Sequence, residues 1–474
     1  MNEYKMEKTQ NQNKSMPAHP FLALILILVI ATIAANFIPS GEYTREVVKG
    51  RTIVNPESYK IVDKKYAGIS DFFLSFYHGF GKAWGLIGMV LFVGGAFGVV
   101  KRIGLMETTI AVLAKKIKEK NIGFLPLAIL IMTLFSFIVS FTGMWELSMV
   151  IVPFIIPLCL SLGYDVMVGS ALIMLSACVS SAAALANPFF TAISHQIAEL
   201  PIYSGMWYRA ITTGIYLVIC LIYILIYAKK VKNDPSKSIL KDVNSEYTKL
   251  DSTDKNIAFT IPLIRAGIAF ICIFIFLIYG TIEKNFSFAE MSAVFVAMAF
   301  IVGFANGSSL NEICYMFADG MKDLLLAGLV IFFARAILFV MEQTLVIDTI
   351  IHFLSRFFTG TNVYLTSTSI FLTQGLINFL IPSGSGQATI TMPILIPLAD
   401  MGGITRQVAC YASQIADSLT NFVYPTNGSF VALLSIAGIS YTKWMKFFAP
   451  LFAILMIVSI FLVMIAQAIK YGPF

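Results

Sequence analysis

The feature that most narrows what this chain can fold into is a series of long, nearly uncharged apolar stretches, among them Phe21–Pro39, Ile211–Tyr227 and Pro262–Gly280. Each is long enough to cross a hydrocarbon core of ~30 Å at ~1.5 Å per helical residue. Their lengths are helical, and no succession of short alternating strands points to a barrel. With 58% hydrophobic and only 12% charged residues over 474 positions, the chain lacks the polar surface to cover itself in water. The sequence therefore predicts an all-α polytopic membrane protein whose main partner is the lipid bilayer. The first stretch runs into Pro39-Ser40-Gly41-Glu42 rather than a small-residue cleavage pattern, so it reads as a retained helix and not as a signal peptide.

The formal charge of +7 does not point to nucleic acid. Basic residues gather at segment ends, notably Lys115, Lys116, Lys118 and Lys120, and Lys229, Lys230 and Lys232, as the positive-inside bias requires. Cys159, Cys178, Cys220, Cys272, Cys314 and Cys410 lie scattered through apolar segments without metal or disulfide spacing, and read as small hydrophobes. The sequence carries no Gly-x-x-x-x-Gly-Lys-Ser/Thr phosphate loop and no hydrolase triad. No enzymatic activity, cofactor or metal is expected, and transport driven by a gradient or by exchange is what remains.

Residues 1–19 read as a cytoplasmic tail and 41–67 as a mixed-charge loop rich in strand formers, while the polar segment 229–258 reads as a cytoplasmic linker. The linker divides the chain into halves, 20–228 and 259–474, and the halves share a register at an offset of 240 (393 minus 153). Gly143–Leu158 lies over Ser383–Leu398, with Pro153 on Pro393 and Pro157 on Pro397, and the same offset brings Gly163 onto Gly403, Asn187 onto Asn427 and Phe190 onto Phe430. In each half an apolar arm runs into a small-residue break and a proline-broken second arm, which suits re-entrant hairpins at 124–162 and 361–403 better than full spans. Each hairpin is followed by an interrupted helix, at Leu185–Pro188 and at Tyr424–Gly428. With the amino terminus inside the cytoplasmic membrane, crossings at 20–39, 83–103, 166–200, 207–228, 259–281, 288–305 and 322–341, plus those after the second hairpin, bring the total to about nine. Amphipathic 105–118 would lie on the cytoplasmic surface. Five crossings separate the hairpins, so they enter from opposite sides, as two inverted repeats demand.

A backbone break inside a bilayer leaves polar groups that cost several kcal/mol each unless something binds them, so such breaks line cavities. The second hairpin arms begin with free N–H groups able to hold a carboxylate. Thr142, Gly143, Asn187, Ser383, Gly384, Ser385, Gly386, Gln387, Thr426 and Asn427 are the candidate substrate-binding residues, although the hydroxyls and amides among them could serve only as helix caps. Glu146 and Asp417 are carboxylates in apolar surroundings and default to binding cations or protons, with an electrostatic role at the helix start as the alternative for Glu146. Arg335, inside 322–341, could pair with an acid or meet an anionic group of the substrate. His195 reads as a polar core residue, and Trp207 and Trp444, which open helices, read as interfacial anchors.

Gly94-Gly-Ala-Phe-Gly98, Leu185-Ala-Asn187-Pro-Phe189, Arg335-Ala-Ile337, Ile381-Pro-Ser-Gly-Ser-Gly-Gln-Ala388 and Pro397–Gln407 resemble the YfcC-like family, over nearly all of Pro20–Pro450. Its members include C4-dicarboxylate anaerobic carriers and arginine/ornithine-type basic amino acid antiporters within a wider ion-transporter superfamily. The resemblance implies an elevator-type mechanism and a homodimer. The superfamily's Ser-Asn-Thr hairpin signature falls on Thr142-Gly143-Met144 and Ser383-Gly384-Ser385, and neither triplet keeps it, so sodium or a proton stays open as the coupling ion. Neither tip nor either break contains Lys or Arg, and Glu146 and Asp417 are acidic, so a basic amino acid is the expected substrate, with dicarboxylates second.

Overall fold

The computed structural model describes residues 20–48, 51–54, 58–187, 190–241, 259–284, 286–356 and 362–472. The expected tail 1–19 and most of the expected linker lie outside these residues. The helices of the first half are α1 (Pro20–Phe37), α2 (Ile69–Arg102), α3 (Leu105–Glu119), α4 (Phe124–Thr142), α5 (Ser148–Ser161), α6 (Val166–Ala182), α7 (Thr191–Ile197) and α8 (Met206–Asn233). The second half has α9 (Ile261–Glu283), α10 (Phe288–Asn306), α11 (Leu310–Asp323), α12 (Leu325–Gln343), α13 (Val346–Ser355), α14 (Val363–Leu380), α15 (Gly384–Met401), α16 (Arg406–Thr420), α17 (Gly428–Ala437) and α18 (Tyr441–Ala468). The strand formers of 41–67 make two small antiparallel ladders, Gly41–Glu42 with Lys60–Ile61 and Arg45–Val48 with Arg51–Val54, so the chain is mostly rather than wholly helical.

Among the described residues, six helices are long and apolar enough to cross a bilayer: α2, α4, α8, α10, α14 and α18. The pair α12 and α13, bent by 82°, would make a seventh if it is one broken span. Two of the six, α4 and α14, are the first arms of the expected hairpins. The crossings expected at 20–39, 166–200 and 259–281 meet shorter apolar helices at Leu24–Phe37, Val166–Ala182 and Ile261–Leu277. The helix expected over 83–103 starts a loop earlier, at Ile69, and extends for 34 residues. The segment 322–341 belongs to two helices that meet at Leu324.

Most of the helices pack in two groups, which meet where α12 packs on α17. In one, α2 lies against α10, α11 and α12, and α12 also packs on α1. Here backbones touch: a Cβ placed on Gly98 would sit 2.6 Å from Gly320 Cα, and one on Gly79 would sit 2.7 Å from Ala336 N. Any side chain at these positions would force the helices apart. In the other group α4 and α5 lie on α6, α14 and α15 lie on α16, and α6 crosses α16. Every residue of α6 is buried, and so is every residue of α16 after Arg406. The second arm α5 rests on α17 and the second arm α15 rests on α7, so the hairpin of each half covers the short helix that follows the break in the other.

Positions sharing the sequence register also share local geometry. Gly163 and Gly403 both take left-handed backbone, with φ of 82° and 70°. Asp165 then caps α6 by accepting from the Val168 N–H at 2.9 Å, and Thr405 caps α16 by accepting from the Val408 N–H at 3.2 Å.

Trp207 is exposed, as expected of an anchor, but Trp444 is fully buried. Its indole N–H donates to the Phe422 carbonyl at 3.0 Å, which gives it a structural partner in the interior instead of an interface.

Candidate functional site

The two breaks expose carbonyls that need donors, and each half supplies its own. In the first half Arg209, 1% exposed, donates to the carbonyls of Ala184 (2.9 Å), Leu185 (2.9 Å), Ser204 (2.8 Å) and Tyr203 (3.1 Å). Thr213 adds a hydroxyl to Ala183 O at 2.8 Å. In the second half Trp444 holds Phe422 O, and the Tyr441 hydroxyl holds Val423 O at 2.8 Å. Beyond each break an asparagine side chain caps the next turn: Asn187 accepts from Phe190 N–H at 3.2 Å and Asn427 from Phe430 N–H at 3.1 Å.

The first hairpin turns at Gly143, whose φ of 68° belongs to the left-handed region that glycine tolerates best. A Cβ there would also meet Asn187, whose Cγ would be 2.7 Å away. Thr142 Oγ1 accepts from the Met144 N–H at 3.2 Å, and a 3-10 turn over Trp145–Leu147 presents Glu146. The second hairpin turns at Ser383, which caps α15 by accepting from Gly386 N–H at 3.4 Å. A Cβ on Gly384 would lie 3.4 Å from both Asp417 Oδ2 and Phe190. The Trp145 and Phe422 rings are 5.1 Å apart, so the first tip leans on the break of the second half, while Gly384 of the second tip lies beside Phe190, just past the break of the first.

Between tips and breaks lies a cavity of about 200 Å³. Pockets for drug-sized ligands run to ~300–1,000 Å³, so this one suits a smaller molecule. Of the residues expected to bind substrate, Gly143, Glu146, Asn187, Ser383, Gly384, Ser385, Asp417 and Asn427 line it together, and Arg335 reaches it from α12. Leu86 of α2 and Phe288 of α10 complete the wall from the same helix group as Arg335. Thr142, Gly386, Gln387 and Thr426 are not among the lining residues. Thr142 is engaged in the turn, and Gln387 is buried within the second hairpin, where its amide donates to Gln374 O and Oε1, each at 2.9 Å. Thr426 is buried, and its hydroxyl has no partner among the described residues. His195 sits apart, with Nε2 at 3.2 Å from the Gln407 amide and Nδ1 at 3.3 Å from Pro201 O, in the polar-core role expected of it.

Glu146, Asp417 and Arg335 are the charged side chains of the cavity wall among the described residues, and no ion pair joins any of them to a partner. Asp417 is 3% exposed. Its Oδ2 meets the Ser418 hydroxyl and the Asn421 amide only at 3.4 Å, and its Oδ1 has no partner.

The sequence reading missed a polar seam beside Asp417. The Asn378 amide donates to Asp417 O (2.8 Å), Thr420 Oγ1 (2.8 Å) and Asn421 Oδ1 (3.0 Å), and Asn427 donates to the same Asn421 oxygen at 2.7 Å. Within the hairpin Gln374 also accepts from Thr391 at 3.1 Å. Four residues apart on α14, Gln374 and Asn378 share one helix face, and that spacing was the available signal. Arg209 was missed too. A lone arginine near the start of an apolar helix looks like an interfacial charge, and only the fold brings the break around to it.

The chain matches the model of the family described as C4-dicarboxylate anaerobic carrier over residues 17–468. It is 27% identical to an Escherichia coli K12 protein provisionally named a basic amino acid antiporter, YfcC, across 94% of this chain and 96% of that protein. It is 29% identical to an uncharacterized Haemophilus influenzae protein, across 90% of this chain and 83% of that one. Among solved structures it is similar to Neisseria gonorrhoeae MtrF, described with a class of antimetabolite efflux pumps, at 19% identity and a TM-score of 0.44 over 98% of this chain and 99% of that one. The Alcanivorax borkumensis YdaH transporter is similar at 15% identity and a TM-score of 0.40, over 96% and 100% of the two chains.

Proposed function

This chain belongs to the C4-dicarboxylate anaerobic carrier family of membrane transporters, and from that membership and the charges of its cavity we propose that it exchanges basic amino acids across the cytoplasmic membrane. The observation that carries the substrate class is the wall itself: two carboxylates, Glu146 and Asp417, against one guanidinium, Arg335. At full ionisation the empty cavity holds a formal charge of −1, which an arginine- or ornithine-like monocation neutralises and a dicarboxylate makes worse. The α-carboxylate of such a substrate finds Arg335 and the N–H groups that open α15, and its two amino-type cations find the two acids.

The architecture proposed around this site is a pair of inverted repeats with about nine crossings and two re-entrant hairpins. The amino terminus lies inside, and two copies form a homodimer. The hairpin group slides against the α2–α12 group in an elevator motion, carrying the cavity from one face to the other. The shared register at Gly163/Gly403 and Asn187/Asn427 and the reciprocal hairpin contacts support this reading.

Liposomes holding the protein and preloaded with ornithine are expected to take up labelled arginine, and uptake should saturate. A second reading, dicarboxylate transport, is favoured by the family's description and by Arg335 at the wall. Failure with arginine and ornithine but uptake of succinate in the same liposomes would replace the first reading by the second.

A further inference from the structure

The three wall charges come from three separate elements: Glu146 from the first hairpin tip, Asp417 from buried α16, and Arg335 from α12 in the other helix group. None of the three makes an ion pair among the described residues; the acid that acts on Arg335 from its own helix, Glu342, is itself paired with Lys82, and Asp417 keeps a wholly unpartnered oxygen. Among the described residues no other charged side chain lines the cavity, so its electrostatic balance is completed by whatever occupies it. A cavity that must be closed to water before it can cross a membrane takes its uncompensated charge into a low dielectric, where an unpaired ion is strongly disfavoured.

We propose that this charge count makes the carrier an obligatory exchanger, with Glu146 and Asp417 setting the net charge that a substrate must bring. With a monocationic amino acid bound the closed cavity is formally neutral, and the loaded form can cross. Empty, it holds −1, and return without cargo is suppressed. Removing either acid reverses both properties. The empty cavity becomes neutral and returns freely, and the best-matched cargo becomes a neutral amino acid of the same shape. This inference rests on the substrate reading above and adds to it the residues that set charge selectivity and coupling.

The experiment uses the full-length protein in liposomes and compares uptake of labelled arginine with and without arginine inside, then repeats the comparison for citrulline, the uncharged isostere of arginine. The native protein is expected to exchange arginine at least tenfold faster than it moves arginine into empty liposomes, and to prefer arginine over citrulline. In E146Q and D417N the ratio of exchange to net uptake should fall at least tenfold towards unity, and citrulline should overtake arginine. Equal exchange and net uptake by the native protein would overturn the inference while leaving the substrate class standing, and that measurement needs no variant. Variants present at native abundance that keep the native ratio and the preference for arginine would overturn it as well. No arginine or ornithine transport by the native protein in either mode would remove the substrate reading, and the inference with it.

Discussion

In the first half, the carbonyls of Ala183, Ala184 and Leu185 at the break are held by a threonine hydroxyl and a guanidinium, whereas in the second half those of Phe422 and Val423 are held by an indole and a phenol. The backbone geometry is nonetheless matched, with an asparagine capping the next turn at the same register in both. One fold therefore tolerates unrelated solutions to one hydrogen-bonding problem, provided every buried carbonyl finds a donor. The polar seam has no such counterpart. At an offset of 240, Asp417 stands over Ala177, Asn421 over Ser181, Gln387 over Leu147 and Thr391 over Ile151. The first half thus places its charge at the hairpin tip, as Glu146, and the second places its charge in the helix behind the tip, as Asp417.

The comparison breaks most directly at Arg209. Replacing it with Leu strands four carbonyls, and because hydrogen bonds to a charged group contribute ~1.5–3 kcal/mol each, R209L is expected to lose at least ~3 kcal/mol and to yield little folded protein. Size-exclusion profiles and thermal unfolding in detergent would check this, and a variant as stable as its parent would show that the break supports itself. Next in size is the contrast between tips. G143A combines a left-handed φ, disfavoured by ~1–2 kcal/mol for a residue with Cβ, with a collision against Asn187, and should cut transport more than tenfold. G384A meets only ordinary contacts at 3.4 Å and should keep at least half the native rate. Similar losses in both would mean that the tips are held alike.

Two smaller effects sharpen the picture. N378L removes three hydrogen bonds that tie the second hairpin to α16, for a loss of ~2 kcal/mol that unfolding measurements can read. W444F keeps the buried ring and gives up one bond to Phe422 O, for ~1 kcal/mol. If W444F proved as damaging as R209L, the two breaks would depend equally on their donors.

Much of this arrangement was legible in the residues. Prolines, small residues and the repeated asparagine mark the hairpins and breaks by local chemistry, so α4, α5, α14 and α15 fall close to their expected bounds, and most of the candidate site residues meet at one cavity. What stayed hidden depends on which way a helix faces. Trp444 opens a helix, a position shared by interfacial anchors and interior plugs alike, and only packing separates them. Arg209 and Asn378 were obscured in the same way, since an apolar segment's composition does not reveal that its one polar side chain meets a broken backbone from another segment. The helix starting at Ile69 was under-read because its first turns mix charge with aromatic residues.

The glycine contact between α2 and α11 has a mechanical consequence. Where Gly98 meets Gly320, main chain lies on main chain, and there are no rotamers to exchange when one surface is pushed past the other. Such a joint has one resting position and behaves like a weld. Displacement between parts of this molecule therefore has to be absorbed at seams made of side chains, and the wall where Leu86, Phe288 and Arg335 face the hairpin tips is a seam of that kind.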